Sequence, residues 1–279
     1  DMFRSPRLSA AVYASQKTPR SPSDIVLEVS SSMALGDHPG GFAGACWVFT
    51  NAESVRLYRG NDFIAEFSPD RRGRFAALPH PPIEVQDFVG SLLEKYEGLD
   101  PVVAPQVAAI LNEMRRDALS LSPLSRARLL SLRLSWNDLL RMYYKYIGVL
   151  GSPSSVYRFE AVWHGRTVRT VVREPVQSIR LECTVYNPLL TDGPTWDCAA
   201  VSLRAIDQNG NFLPYCGEAV QLSVEGPVRI LGPSVVPLRG GMAGTYLATT
   251  GEAGRAVLHC RMEGALDTDA VVTIRRREA

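Results

Sequence analysis

The sequence has little excess charge: 30 Lys and Arg against 29 Asp and Glu leave a formal +1. Such a balance gives no global attraction for nucleic acid or anionic lipid, and neither a nucleic-acid nor a membrane partner is expected. No apolar run is long enough to form a membrane-spanning helix. The Arg275-Arg276-Arg277 run is the one dense basic stretch and reads as a solvated end. Cysteine is sparse and scattered, at positions 46, 183, 198, 216 and 260, with no CxxC pair and no His at zinc-ligand spacing. That pattern excludes the common zinc motifs, and no metal or other cofactor is expected. Buried free thiols are the default, with one Cys183–Cys260 or Cys198–Cys260 bridge left open. Phosphate loops, dinucleotide fingerprints and Gly-x-Ser-x-Gly elbows are also lacking.

What is present is a chain of 279 residues, enough for two or three cores, whose hydrophobic period changes along its length. Ser5 and Pro6 suit a helix start, and Leu8, Val12 and Ser15 or Gln16 follow at helical spacing. A helix this short is marginal alone and needs a partner surface, so the opening reads as the tail of a larger unit. Residues 18–24, with Pro19 and Pro22, form a linker. Residues 25–174 then alternate as strands at Ile25–Val29, Cys46–Phe49, Ser54–Tyr58, Asp62–Phe67 and Val156–Trp163, with a return at Thr167–Val172.

A helical insertion at about 86–147 interrupts these strands, with a short helix over Gln86–Tyr96 and two apolar stripes. One stripe is Val103, Val107, Ile110, Leu111, Met114 and Ala118; the other runs from Leu129 through Trp136 to Tyr146 on a single helix begun at Ser122-Pro123. Residues 175–279 carry about seven short strands with turns at Asp207–Asn211, Glu225–Pro227, Gly240-Gly241 and Gly251–Gly254, as an immunoglobulin-like sandwich requires. The expected fold is mainly β: two immunoglobulin-like β-sandwich domains, the first with an inserted helical bundle.

Residues with chemical potential are isolated. His38, His80, His164 and His259 stand alone, and a Ser30–Ser32 with Asp37-His38 grouping lies in a glycine-rich loop that supplies no rigid geometry. Glu94, Glu97 and Glu113 read as solvated charges on exposed helix faces rather than as a glycosidase pair. Trp47, Trp136 and Trp163 read as core. Trp196 follows a turn-forming segment, and packing is still its favoured role; ligand contact is the alternative. No catalytic residue is assigned; His38 and Trp196 are the candidate ligand or domain contacts.

Several segments occur in a definite order: Asp1-Met2-Phe3-Arg4 with Pro6 and Tyr13-x-Ser15-Gln16; Trp47–Asn51 with Val55-x-Leu57-Tyr58; Pro79–Ile83; Tyr144-Lys145-Tyr146; Tyr157–Ala161; and Gly240-Gly241-Met242-x-Gly244-Thr245-Tyr246. In that order they resemble the C-terminal region of glycoside hydrolase family 2 enzymes of the bacterial β-galactosidase type. The resemblance implies that residues 1–17 correspond to the last helix of a (β/α)8 barrel and that the barrel of the same polypeptide is their partner. It also implies that the family's catalytic glutamates precede this stretch; Asn112-Glu113-Met114 does not match the Asn-Glu-Pro acid/base segment. The implied role is a non-catalytic accessory region of a retaining β-galactosidase, with carbohydrate contact and homo-oligomer formation left open and the bacterial cytoplasm favoured. A stand-alone immunoglobulin-like carbohydrate-binding or adhesion module is the alternative, and a small hydrolase using His38 or His80 a third reading.

Overall fold

The computed structural model describes residues 6–31, 44–117, 119–148 and 155–276. Asp1–Ser5, the loop carrying Asp37 and His38, and Ala118 lie outside the described residues. The chain is mainly β and divides into two compact units, which meet in sequence at Pro175 and Val176. No helix among the described residues is long and apolar enough to cross a membrane.

The first unit begins with α1 (Leu8–Ala14) and continues through β1 (Leu27–Val29), β2 (Cys46–Thr50), β3 (Ser54–Arg59), β4 (Asp62–Phe67) and β5 (Ile83–Val85). Four helices follow, α2 (Leu92–Glu97), α3 (Ala104–Arg116), α4 (Pro123–Ser131) and α5 (Trp136–Tyr146), before β6 (Tyr157–Trp163) and β7 (Arg166–Arg173). The strands form an antiparallel β1-β2-β5 sheet and an antiparallel β4-β3-β6-β7 sheet. Alternation decides which side chains enter the core: Tyr157, Phe159 and Ala161 of β6 point in, while Arg158 and Glu160 point out and pair at 2.9 Å. Leu57, Val107, Ile110, Leu111 and Leu139 join the same apolar cluster, so helices and sheets share one core. Phe88 meets Tyr157 edge-to-face, with ring centroids 6.1 Å apart.

The linker is tied to the sheets by side chains that also belong to the ordered motifs. Gln16 and His80 exchange two hydrogen bonds: Gln16 Nε2 donates to the His80 carbonyl (2.9 Å), and the His80 amide donates to Gln16 Oε1 (3.1 Å). Asn51 accepts from the Val26 amide and donates to the carbonyls of Lys17 and Asp24. Buried backbone groups in an irregular segment need such partners, and here amide side chains supply them. Gly90 lies at φ +52°, and a Cβ there would sit 2.5 Å from the Ile64 carbonyl, so the close approach of this turn to β4 requires glycine.

Three expectations change in this unit. Gln86–Ser91 is not helical; Asp87 instead accepts from the amides of Val89 and Gly90, and α2 starts only at Leu92. The continuous stripe from Leu129 to Tyr146 is two helices. Arg133 takes a left-handed φ of 53°, and Ser135 caps α5 by accepting from the Asp138 amide (3.1 Å). Trp136, expected in the core, is 45% exposed because it opens α5, one residue after the cap.

The second unit consists of β8 (Ile179–Tyr186), β9 (Leu189–Asp192), β10 (Cys198–Asp207), β11 (Ala219–Glu225), β12 (Val228–Leu231), β13 (Val235–Pro237), β14 (Met242–Thr249), β15 (Gly254–Met262), β16 (Ala265–Leu266) and β17 (Thr268–Arg276). They form two five-stranded sheets, β12-β14-β10-β8-β16 and β13-β11-β15-β17-β9, with parallel pairing only at β16–β8 and β17–β9. Val201, Leu203 and Ala205 of β10 face the same apolar cluster as Ala256, Leu258 and Cys260 of β15, so the inner faces of both sheets build one core. Gly241 turns into β14 at φ +75°, where a Cβ would overlap the Leu213 carbonyl.

Candidate functional site

A cavity of about 400 Å³ opens on the first unit, between the β3–β4 turn, α2 and the C-terminal end of α5. The hairpin register brings Arg59 and Asp62 opposite each other at its tip, and Gly60 completes the turn at φ +57°. Arg59 donates to the last carbonyls of α5, Nη1 to Tyr146 (2.6 Å) and Nη2 to Lys145 (2.9 Å), and both Nε and Nη2 reach Ser155 Oγ. A guanidinium there satisfies carbonyls that the helix leaves unpaired and complements the negative end of the helix dipole. Asp62 accepts from Lys95 Nζ and from the Tyr96 hydroxyl (2.8 Å), and these bonds hold its carboxyl below the ordinary value. The Tyr96 side chain stays 52% exposed at the rim of the cavity.

Beside the cavity, Glu97 is clamped by three donors: Lys145 Nζ at 2.6 Å, the Tyr146 hydroxyl at 2.7 Å and Arg141 Nη1 at 3.0 Å. The Lys145 bond is the largest influence, and the clamp overcomes burial to push Glu97 down to about 2. Glu113 is engaged in a similar way by the Ser122 amide and the Ser125 hydroxyl. Burial works to raise its pKa, but the hydrogen bonds from Ser125 and Ser122 leave it lowered. Glu97 and Glu113 therefore depart from the expected solvated faces. They are fastenings between α2 and α5 and between α3 and the start of α4.

Family-type glycoside hydrolysis needs two carboxyl groups flanking the bond, one of them an acid with a raised pKa. The perturbed carboxyls described here, Asp24, Asp62, Glu66, Glu97, Glu113, Glu218 and Asp269, all lie below their ordinary values. Each is stabilised in its ionised form by hydrogen bonds, which is the opposite of a general acid's environment. Among the described residues no group of three or more His, Cys, Asp or Glu is placed to hold a metal ion. The cavity offers an exposed aromatic face beside fixed charges, which suits contact with a polar ligand better than proton transfer.

The sequence candidates do not gather at this cavity. His38 lies outside the described residues. Trp196 sits in the loop between β9 and β10 and is 55% exposed, so the favoured packing role is not what the fold gives it. Asp197 fixes that loop, accepting from the Thr191 amide (2.9 Å) and donating its own amide to Thr249 Oγ1 (3.0 Å). His80 is held through its backbone by Gln16, and burial, with Arg71 nearby, lowers its pKa. His164 occupies the tip of the β6–β7 hairpin against Trp163, and His259 lies beside Asp269 at 3.0 Å. Sequence reasoning missed Arg59, Asp62 and Tyr96 because their partners are 33 to 96 residues away. Tyr144-Lys145-Tyr146 was the available signal, since Lys145 and Tyr146 supply two of the three donors of the clamp.

No protein-family model matches the chain. Over 244 residues it is 25% identical to the beta-galactosidase of Thermoanaerobacterium thermosulfurigenes, an alignment covering 86% of the chain and 26% of that protein. Among solved structures, a beta-glycosidase from Bacteroides vulgatus superposes with a TM-score of 0.57 at 11% identity, covering 98% of the chain and 27% of its own. A glycosyl hydrolase family 2 member from Bacteroides cellulosilyticus gives 0.53 at 11% identity, covering 98% of the chain and 31% of its own. The chain thus spans between about a quarter and a half of the length of the curated relatives it matches. It resembles the C-terminal region of family 2 glycoside hydrolases of the bacterial β-galactosidase type.

Proposed function

We propose that this chain is a non-catalytic accessory region of a family 2 glycoside hydrolase, and that its parent is a β-galactosidase acting by the retaining two-carboxylate mechanism. In this reading each unit is an immunoglobulin-like sandwich, the four helices are an insertion in the first, and the partner of α1 is a catalytic barrel in the same polypeptide. The observation that carries the reading is the state of the carboxylates: Asp62 in the cavity wall and Glu97 beside it are fastened by cations and hydroxyls and kept ionised. The similarity to about a quarter of a beta-galactosidase supports the choice of parent. So does α1, which buries none of its own residues and leaves Tyr13 80% exposed, as a helix face awaiting a partner does.

The purified chain is expected to release no nitrophenol from 4-nitrophenyl β-galactoside above the buffer rate. Saturable turnover that is lost on Glu97→Gln or Asp62→Asn would overturn the proposal. A second reading, a carbohydrate-binding module, is favoured by the exposed Trp196 and Tyr96 rings, because sugar faces stack on aromatic side chains. Quenching of Trp196 fluorescence by galacto-oligosaccharides, abolished by Trp196→Ala, is the result that reading expects.

A further inference from the structure

The second unit contains two thiols that the proposed function does not use. Cys183 lies on β8 and Cys260 on β15, so they belong to opposite sheets, and both side chains face the shared core. Facing sheets are usually about 10 Å apart, but at this corner they close together. Ala265 and Leu266 leave one sheet to pair with Ile179 and Arg180 of the other. Two residues later Thr268, the register partner of Cys260, donates its hydroxyl to the Leu181 carbonyl at 2.9 Å. Leu181 precedes Cys183 by two residues and points to the same face. The register therefore puts the two cysteines side by side across the corner, near enough for each thiol to shift the ionisation of the other.

The thiols differ in a way that suits stepwise chemistry. Cys260 is fully buried, whereas Cys183 is half-buried. The neighbouring Cys260 thiol lowers the Cys183 pKa, while the same neighbour, with burial, raises that of Cys260. Cys183 is thus the better thiolate and the less buried residue of the two.

We propose that Cys183 and Cys260 form a dithiol clasp that closes into an inter-sheet disulfide by exchange with a small-molecule disulfide such as oxidised glutathione. Cys183 thiolate attacks one sulfur of the oxidant, forming a mixed disulfide and releasing one glutathione thiolate, which takes up a proton. Cys260 then loses its proton and attacks the Cys183 sulfur, displacing the second glutathione. The two protein thiols are oxidised to one disulfide, and one oxidised glutathione is reduced to two glutathione molecules.

The test is peptide mapping of the intact chain after incubation with oxidised glutathione, with digestion under non-reducing conditions. The expected product is a cross-link between the peptides carrying Cys183 and Cys260, lighter by two hydrogens than their sum. The oxidised protein is expected to melt about 10 °C higher in the second unit, since a cross-link removes freedom from the unfolded chain. In Cys260→Ser the glutathione is expected to stay on Cys183, because the resolving thiol is gone. Exposed Cys198 reports that the oxidant is active. Modification of Cys198 while Cys183 and Cys260 remain thiols would overturn the proposal, as would a Cys183–Cys260 cross-link that forms only in denaturant. The wild-type mapping decides between these results even if a variant fails to fold.

Discussion

The two units solve the same problem, holding sheets together, by different means. The first combines an apolar core with long-range polar fastenings: Gln16 with His80, Asn51 with the linker, Arg59 with the end of α5, and Glu97 with three donors on α5. In the second, side-chain hydrogen bonds serve mainly turns and neighbouring strands, as where Asp207 accepts from Asn209 and Asn211. Its sheets are joined by the packing of β10 and β15 side chains, with a hydroxyl bond from Thr268 to the Leu181 carbonyl at one corner. The difference follows from the elements available. Helix ends and irregular linkers expose backbone groups that need partners, whereas sheet ladders satisfy their own. Charge is therefore expected to matter most where the helices are.

The comparison is sharpened most strongly by removing core side chains, where the two units should behave alike. Phe159→Ala in the first unit and Leu258→Ala in the second are each expected to cost about 2–5 kcal/mol, read from chemical denaturation with hydrogen exchange in β6 and β15. Equal tolerance of both truncations would show that neither core sets stability. A backbone test comes next. Gly90→Ala must hold a left-handed residue against the Ile64 carbonyl and is expected to cost about 2–4 kcal/mol in the first unit, with loss of hydrogen-exchange protection in β4.

Much of this was legible in the sequence. Strands β3, β6 and β15 show two-residue alternation over most of their length, and the hairpin turn at Arg59-Gly60-Asn61 is explicit. Short edge strands were not: β9, β12 and β13 have three or four residues, too few to show a period, and β13 ends in Pro237. The break between α4 and α5 was hidden because the apolar stripe runs unbroken across it, and the left-handed Arg133 carries no sequence mark. The charged cavity was hidden for another reason. Arg59, Asp62, Tyr96 and Lys145 come from four separate elements, and each alone looks like an ordinary surface residue. Only the pairing of Lys145 with Tyr146 in one motif hinted at it.

The smallest expected effect is the one most particular to the first unit. Glu97→Gln removes the charge that Lys145 and Arg141 face and is expected to cost about 2 kcal/mol at neutral pH. The sign with pH is fixed by the lowered pKa. Stability from the Glu97 clamp is complete above its ordinary, unfolded value of 4.5 and is lost as pH falls toward about 2. Acid denaturation followed by helical circular dichroism should show this loss in the wild type and a flatter profile in the variant. An unchanged profile would mean that the clamp contributes nothing and that the units do not differ in this respect.

The central claim is that the carboxylates around the cavity are structural anions and not a catalytic acid and base. A carbon-13 carboxyl NMR titration of Glu97 and Asp62 tests it most directly. Glu97 is expected to titrate near 2 and Asp62 below its ordinary value. A carboxyl at either position that titrates well above its ordinary value, poised as a general acid near neutral pH, would contradict it.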